Sequence, residues 1–219
     1  MRSEADTGRL EAFSEGVFAI AITLLIIEVG VNEEGGSLAR RLAEQWPSYV
    51  AFVVSFAMIV IMWLNHHQMF RSIRVADHGL FVLNLALLLV VSFIPFPSKI
   101  VGEELHGTFA DRRTAALFYG STFVAFNALW LWAARGRRLI EPGTPQPSID
   151  AHTRRSLLSI PTLAVATLVA FWSPEVALIL YGIIALSYFL PGDWVNRLLV
   201  PELRTADPEG DAEGTEPRG

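Results

Sequence analysis

The sequence FSEGVFAIAITLLIIEVGV, residues Phe13–Val31, carries charge only at Glu15 and Glu28. Twelve uncharged residues separate the two carboxylates. They make about 18 Å of helix, less than the roughly 30 Å of a hydrocarbon core. A cleaved signal peptide is one alternative, but acidic residues precede the stretch and no small-x-small cleavage site follows it. We therefore predict a membrane span whose carboxylates face protein, water or the interfaces instead of lipid.

The rest of the chain has the same apolar character. Of its 219 residues, 52% are hydrophobic and only 18% are charged, below the roughly 25% of a globular chain. Five further runs reach or approach the about 20 apolar residues that a span needs. Pro95 and Pro97 are expected to bend or end the third span. The sequence thus predicts an all-α, polytopic membrane protein with six spans, at about residues 10–31, 46–70, 78–98, 113–135, 155–173 and 175–197.

Basic residues favour one orientation of these spans. With the N-terminus inside, twelve of the 17 Lys and Arg residues lie in inside segments, so both termini are predicted to be cytoplasmic. The membrane domain covers residues 1–200, and the acidic, Pro- and Gly-rich residues 201–219 are predicted to form a disordered cytoplasmic tail. All but one of the Lys and Arg residues are Arg, and this bias is typical of a GC-rich genome. We expect a multi-pass protein of a bacterial plasma membrane.

Several function classes are disfavoured by composition. The net charge is −5, so the chain lacks the basic footprint of a nucleic-acid-binding protein. There is no cysteine, which removes disulfides, thiolate metal sites, iron–sulfur clusters and cysteine nucleophiles. No nucleophile–base–orienter set and no phosphate-binding glycine loop are visible. We therefore expect neither an enzyme nor a bound cofactor.

Polar side chains of three predicted spans arrive at one depth, the cytoplasmic end. The first span brings Ser14 and Glu15, the second brings His66 and His67, and the third brings Asn84. A hydrogen-bonded clamp that fixes the helix register is the favoured interpretation, and a proton relay is an alternative. Adjacent histidines on a helix point about 100° apart. They do not readily share a metal ion, so no metal site is predicted.

One face of the first span carries a continuous apolar stripe. Ile20, Leu24 and Ile27 lie at i, i+4 and i+7, with Thr23 beside them and Glu28 at the outer edge. Such a stripe usually contacts lipid or protein. In a symmetric oligomer, however, it would form a hydrophobic constriction, and Glu28 would form an acidic ring that enriches cations at the outer mouth. Spacing alone leaves a transporter, an assembly factor and a scaffold open.

The stretch Arg9-Leu-Glu-Ala-Phe13-Ser14-Glu15 closely resembles the RxxxFSD signature of the TMEM175 family of potassium-permeable channels. Glu15 departs from the signature Asp: the charge is kept and the side chain is one methylene longer. The resemblance extends over roughly residues 9–100, through Ser55-Phe56, Trp63, His66-His67, Phe70, Leu83-Asn84-Leu85 and Ser92-Phe93-Ile94-Pro95-Phe96-Pro97.

This resemblance implies one six-span unit that assembles as a homotetramer, with the first helix lining a central pore. It implies that Ile20 forms the narrowest ring, that Leu24 and Ile27 form further rings, and that Thr23 contributes to selectivity. These positions coincide with the apolar stripe. By position, the signature's structural network with the second and third helices corresponds to Arg9, Phe13, Ser14 and Glu15.

The expected function is passive conduction by a potassium-permeable, modestly selective cation channel. The expected partners are K⁺ and other monovalent cations, further copies of the chain, and the lipid bilayer. The alternative is a proton-coupled secondary transporter or proton channel that uses the cytoplasmic-side His/Glu cluster. The lack of visible inverted repeats disfavours the transporter.

Overall fold

The computed structural model describes residues 4–30, 36–70, 77–135 and 161–189, and every regular element in these ranges is an α-helix. The prediction of an all-α chain is confirmed for this part. The predicted tail and residues 136–160 lie outside the described ranges. In chain order, the helices α1 to α8 are Glu4–Ile27, Leu38–Glu44, Trp46–Phe70, His78–Phe93, Pro95–Glu104, Phe109–Arg135, residues 161–169 and Pro174–Phe189.

Three helical segments of the described chain are long and apolar enough to cross a membrane. They are Thr7–Ile27, Trp46–Phe70 and His78–Glu104, with mean hydropathies of 2.0, 2.1 and 2.4. Helix α8 is also apolar, but it has only 16 residues. The described chain therefore has membrane-capable helices at the positions of the first three predicted spans, and the boundaries of the spans stay predictions. The count of six stays a prediction.

The third span is interrupted where its prolines lie. Helix α4 ends at Phe93 and α5 begins at Pro95. Because Pro95 has no N–H to continue the helical ladder, Ile94 N bonds to Val91 O at 3.2 Å, one residue closer than in an α-helix. The break gives the two halves different neighbours. Helix α4 packs mainly against α1 and α6, whereas α5 packs mainly against α3 and α6.

Helix α1 lies against α3 and α4. Its buried face consists of Ser14, Phe18, Ala21 and Leu25, each at most 1% exposed. These residues recur at the i, i+4, i+7 and i+11 spacing of one helical stripe. A helix with one buried stripe leaves its remaining apolar side chains uncovered within a single chain.

Hydroxyl groups connect the interior of the bundle. Ser55 on α3 lies 2.7 Å from the hydroxyl of Ser98 on α5 and 2.8 Å from that of Tyr119 on α6. All three residues are buried. Because lipid offers no hydrogen-bond partners, these contacts satisfy the hydroxyls internally and join three helices at one level.

Side chains of α7 and α8 approach the backbone of α6 closely at Gly120. The hydroxyl of Tyr181 lies 3.1 Å from that of Thr167 and donates to Ala116 O at 3.3 Å. A Cβ atom at Gly120 would overlap both hydroxyls. Glycine is therefore required here for packing.

Candidate functional site

A buried hydrogen-bond network joins α1, α3 and α4. Asn84 Nδ2 donates to Ser14 Oγ at 2.9 Å, and Ser14 Oγ donates to Leu10 O at 2.8 Å. His66 Nε2 lies 2.8 Å from Asn84 Oδ1. Since an amide oxygen only accepts, the imidazole must donate from Nε2. Ser14, His66 and Asn84 are fully buried, so one side chain from each of the first three spans meets at a point without solvent.

Aromatic rings enclose His66. Its ring stacks on Phe70 with centroids 4.5 Å apart, and the ring of Phe18 lies 5.3 Å away at a tilt of 58°. Nδ1 of His66 is buried and has no hydrogen-bond partner in the described part of the chain. The bond to Asn84 is therefore the polar contact that fixes the orientation of this imidazole.

His67 belongs to a separate group. Its Nδ1 lies 3.1 Å from Glu11 Oε1 and 3.2 Å from Glu15 Oε1. The ring of Trp63 stacks against its imidazole with centroids 5.9 Å apart. The two adjacent histidines thus reach different partners, in keeping with their separation around the helix. Sequence reasoning placed Glu15 and His67 at one depth but missed Glu11, although its i, i+4 spacing to Glu15 was visible.

Two signature residues lie outside both groups. Arg9 is exposed, and it makes no ion pair or hydrogen bond with another described residue. Phe13 is also exposed. Within one chain, the structure therefore brings Ser14, His66 and Asn84 together and places Glu15 beside His67, and it leaves Arg9 and Phe13 facing outward.

The apolar stripe of α1 faces away from its own chain. Ile20, Leu24 and Ile27 are 60%, 40% and 71% exposed. Thr23 is exposed beside them, and its hydroxyl donates to Ile20 O at 2.8 Å. This bond occupies the hydroxyl hydrogen and leaves the oxygen free to act as an acceptor. No described side chain of the same chain covers the stripe, so lipid or another molecule must do so.

Glu28 has a partner that sequence reasoning missed. Nζ of Lys99 lies 3.4 Å from Glu28 Oε2, and both side chains are partly exposed. Lys99 is the one lysine of the sequence and follows the third apolar run. The available signal was that the first and third predicted spans run in the same direction and both end outside. The pairing lowers the net negative charge at this end of α1.

A bundle of apolar helices with buried polar links and one uncovered hydrophobic face on α1 defines an integral membrane protein. Comparison with known proteins makes the class more specific. The family described as "Endosomal/lysosomal potassium channel TMEM175" matches residues 9–95. A potassium channel of Chamaesiphon minutus is 42% identical over 160 residues, which cover 69% of this chain and 78% of that protein. A potassium channel of Streptomyces collinus is 38% identical, covering 93% and 98% of the two chains.

A solved structure and an animal protein are similar to the same family. The crystal structure of a lysosomal potassium-selective channel TMEM175 homolog from Chamaesiphon minutus superposes with a TM-score of 0.74 at 37% identity, covering 84% of this chain and 97% of that one. The bovine endosomal/lysosomal proton channel TMEM175 is 32% identical over 74% of this chain and 36% of its own length. The chain belongs to the TMEM175 family, as its signature indicates. This is a family of ion channels, not of enzymes.

Proposed function

We propose that the chain is a potassium-permeable, modestly selective cation channel, in which α1 of four identical chains lines a central pore. The observation that carries this proposal is the outward-facing stripe of Ile20, Leu24 and Ile27, which the packing of a single chain leaves exposed. The potassium channels among its relatives support the choice of ion. Four such stripes around an axis would form the hydrophobic constriction.

The proposed mechanism is passive flow through this constriction. A narrow apolar segment excludes water until it widens, so it gates by dewetting and discriminates ions by the ease with which they lose water. Thr23 would offer hydroxyl oxygens next to the ring of Ile20. Glu28, balanced in part by Lys99, would set a moderate negative potential at the outer mouth.

The proposed architecture keeps the predicted topology. Six spans with both termini inside agree with the excess of Arg in inside segments. The membrane domain would cover residues 1–200, and residues 201–219 would extend into the cytoplasm of a bacterium. The three spans recognised in the described chain, together with the shorter α8, support this arrangement.

Ile20→Asn tests the proposal directly. An amide at the narrowest ring should wet the constriction, so we expect a larger single-channel conductance and a smaller preference for K⁺ over Na⁺. The measurement is planar-bilayer recording of the purified chain with K⁺ on one side and Na⁺ on the other. The matched control is Ile26→Asn, because Ile26 is similarly exposed, at 57%, but lies off the stripe. Equal conductance in the wild type and Ile20→Asn would exclude Ile20 from the pore.

A proton channel or proton-coupled transporter is the second candidate. The observation that favours it is the contact of His67 with Glu11 and Glu15, together with the animal relatives named as proton channels. A proton pathway predicts a reversal potential that follows a pH gradient at equal K⁺ on both sides. A reversal potential that follows only the K⁺ gradient, with unitary current steps, would reject it.

A further inference from the structure

The group formed by Glu11, Glu15 and His67 contains three metal-binding side chains on two helices. One ligand atom from each lies within 4.8 Å of the others. Glu11 and Glu15 are one turn apart on α1, and His67 comes from the facing surface of α3. The prediction of no metal site considered only His66 with His67, and it did not consider this combination.

The two distances from the imidazole nitrogen of His67 match those around a bound metal ion. Zn²⁺ binds imidazole nitrogen and carboxylate oxygen at about 2.0–2.2 Å. Two such atoms on one ion are therefore about 3.0 Å apart at 90° and about 3.4 Å apart at the tetrahedral angle. Nδ1 of His67 lies 3.1 and 3.2 Å from the two carboxylate oxygens, between these two values.

Hydrogen bonding does not account for the same geometry. Nδ1 of His67 is inaccessible to solvent, yet it makes no hydrogen bond to either carboxylate within the described chain. Two carboxylate oxygens thus lie close to a ring nitrogen that bonds to neither within the described chain, and a metal ion shared by the three groups would satisfy all of them.

Charge also favours a cation at this position. Two carboxylates one turn apart on a helix repel each other, and a protonated His67 would supply only one compensating charge. The side chains of Glu11, Glu15 and His67 are 24%, 41% and 37% exposed, so the group lies at the surface of the chain. Stacking on Trp63 holds the imidazole in place, and such fixed orientation increases metal affinity.

We propose that Glu11, Glu15 and His67 bind a divalent transition-metal ion, with Zn²⁺ the best match to one nitrogen and two oxygen ligands. Water would complete the coordination, as at open zinc sites. The ion would join α1 to α3 next to the buried network of Ser14, His66 and Asn84. If α1 lines the pore, which rests on the proposed function, the bound ion would restrain that helix and lower the open probability.

Metal binding can be measured without any current. The full chain is purified in detergent, its affinity tag is removed, and Zn²⁺ is titrated by calorimetry. Co²⁺ serves as a second probe, because its visible absorption reports the ligand set. We expect one saturable site per chain. Removal of one ligand by Glu11→Gln or His67→Ala should weaken binding by at least about tenfold, since even partners outside the ligand shell contribute that much.

Three further variants distinguish the loss of a metal ligand from the general effects of removing a charged side chain or of disturbing the fold. Glu103→Gln and His78→Ala remove an exposed carboxylate and an exposed imidazole elsewhere, and both should bind Zn²⁺ as the wild type does. Glu11→His replaces an oxygen ligand with a nitrogen ligand and should keep binding, which would show that Glu11→Gln fails through coordination and not through folding. Absence of saturable binding, or unchanged affinity in Glu11→Gln and His67→Ala, would overturn the site. A channel that binds no Zn²⁺ would leave the proposed function intact, and a metal-binding chain without current would refute only conduction.

Discussion

Replacement of Asn84 by Leu removes the centre of the buried network and keeps the number and branching of the side-chain heavy atoms. Ser14 keeps its bond to Leu10 O at 2.8 Å, so its hydroxyl donor stays satisfied. His66 loses the 2.8 Å bond from Nε2, and its Nδ1 already lacks a hydrogen-bond partner among the described residues. The cost therefore falls mainly on the imidazole. An unsatisfied buried group costs about 1–3 kcal/mol, and hydrogen bonds between membrane helices are at the lower end, so we expect a loss of about 1–2 kcal/mol in unfolding free energy.

A double-mutant cycle with His66→Phe isolates this cost. With both polar partners replaced, no buried nitrogen is left without a hydrogen bond. The loss of unfolding free energy in the double variant should therefore be about 1 kcal/mol smaller than the sum of the two single losses. The assay is unfolding of the detergent-solubilised chain in increasing SDS, followed by circular dichroism. Ser121→Ala is the control, because its exposed hydroxyl bonds only to Phe118 O on its own helix. The control should change stability by less than about 0.5 kcal/mol.

Additivity would refute the reasoning. If the losses for Asn84→Leu and His66→Phe sum to that of the double variant within about 0.5 kcal/mol, the two side chains are not coupled. The conclusion that His66 depends on Asn84 for its polar contact would then be wrong.

Two other predictions concern packing and surface charge. Gly120→Ala should lower the unfolding free energy by about 1–3 kcal/mol, because the new methyl group overlaps Tyr181. Gly182→Ala, with ordinary space for a methyl group, should be neutral or stabilising in the same SDS titration. Lys99→Gln should raise cation conductance at low salt by leaving Glu28 uncompensated. The increase should vanish near 1 M salt, where the screening length is about 3 Å, and in the double variant with Glu28→Gln. An unchanged low-salt conductance would place Glu28 away from the ion path.

The helical fold of α1 and the depth of the polar residues could be predicted from sequence. The 3.6-residue period separates the stripe of Ile20 from the face of Phe18, and the alternating direction of spans places Ser14 and Asn84 at one level. Likewise, the missing N–H of Pro95 predicts the break in the third span. These features follow from local chain geometry and the direction in which the chain crosses the membrane.

The pairing of individual side chains could not be predicted. Whether His66 or His67 faces Asn84 depends on the rotation of α3 about its own axis, and packing against α1 and α5 sets that rotation. The partner of Glu28 depends on where α5 lies after the helix break at Ile94. The predicted first span also extended to Val31, whereas the helix ends at Ile27 and Val29 N bonds to Ile26 O in a turn.

The helix break at Ile94 would also affect how the chain fits bilayers of different thickness. Helix α4 has 16 residues and measures about 24 Å, so it falls about 6 Å short of a hydrocarbon core. The uncharged run His78–Ser98 measures about 31 Å, so the first turn of α5 must supply the rest. In the predicted topology the break at Ile94 would therefore lie inside the acyl region. A thinner or thicker bilayer creates hydrophobic mismatch, which a straight helix relieves by tilting as a whole. With the helix broken at Ile94, a change of angle at one residue would adjust the height of the span and leave α4 in its contact with α1.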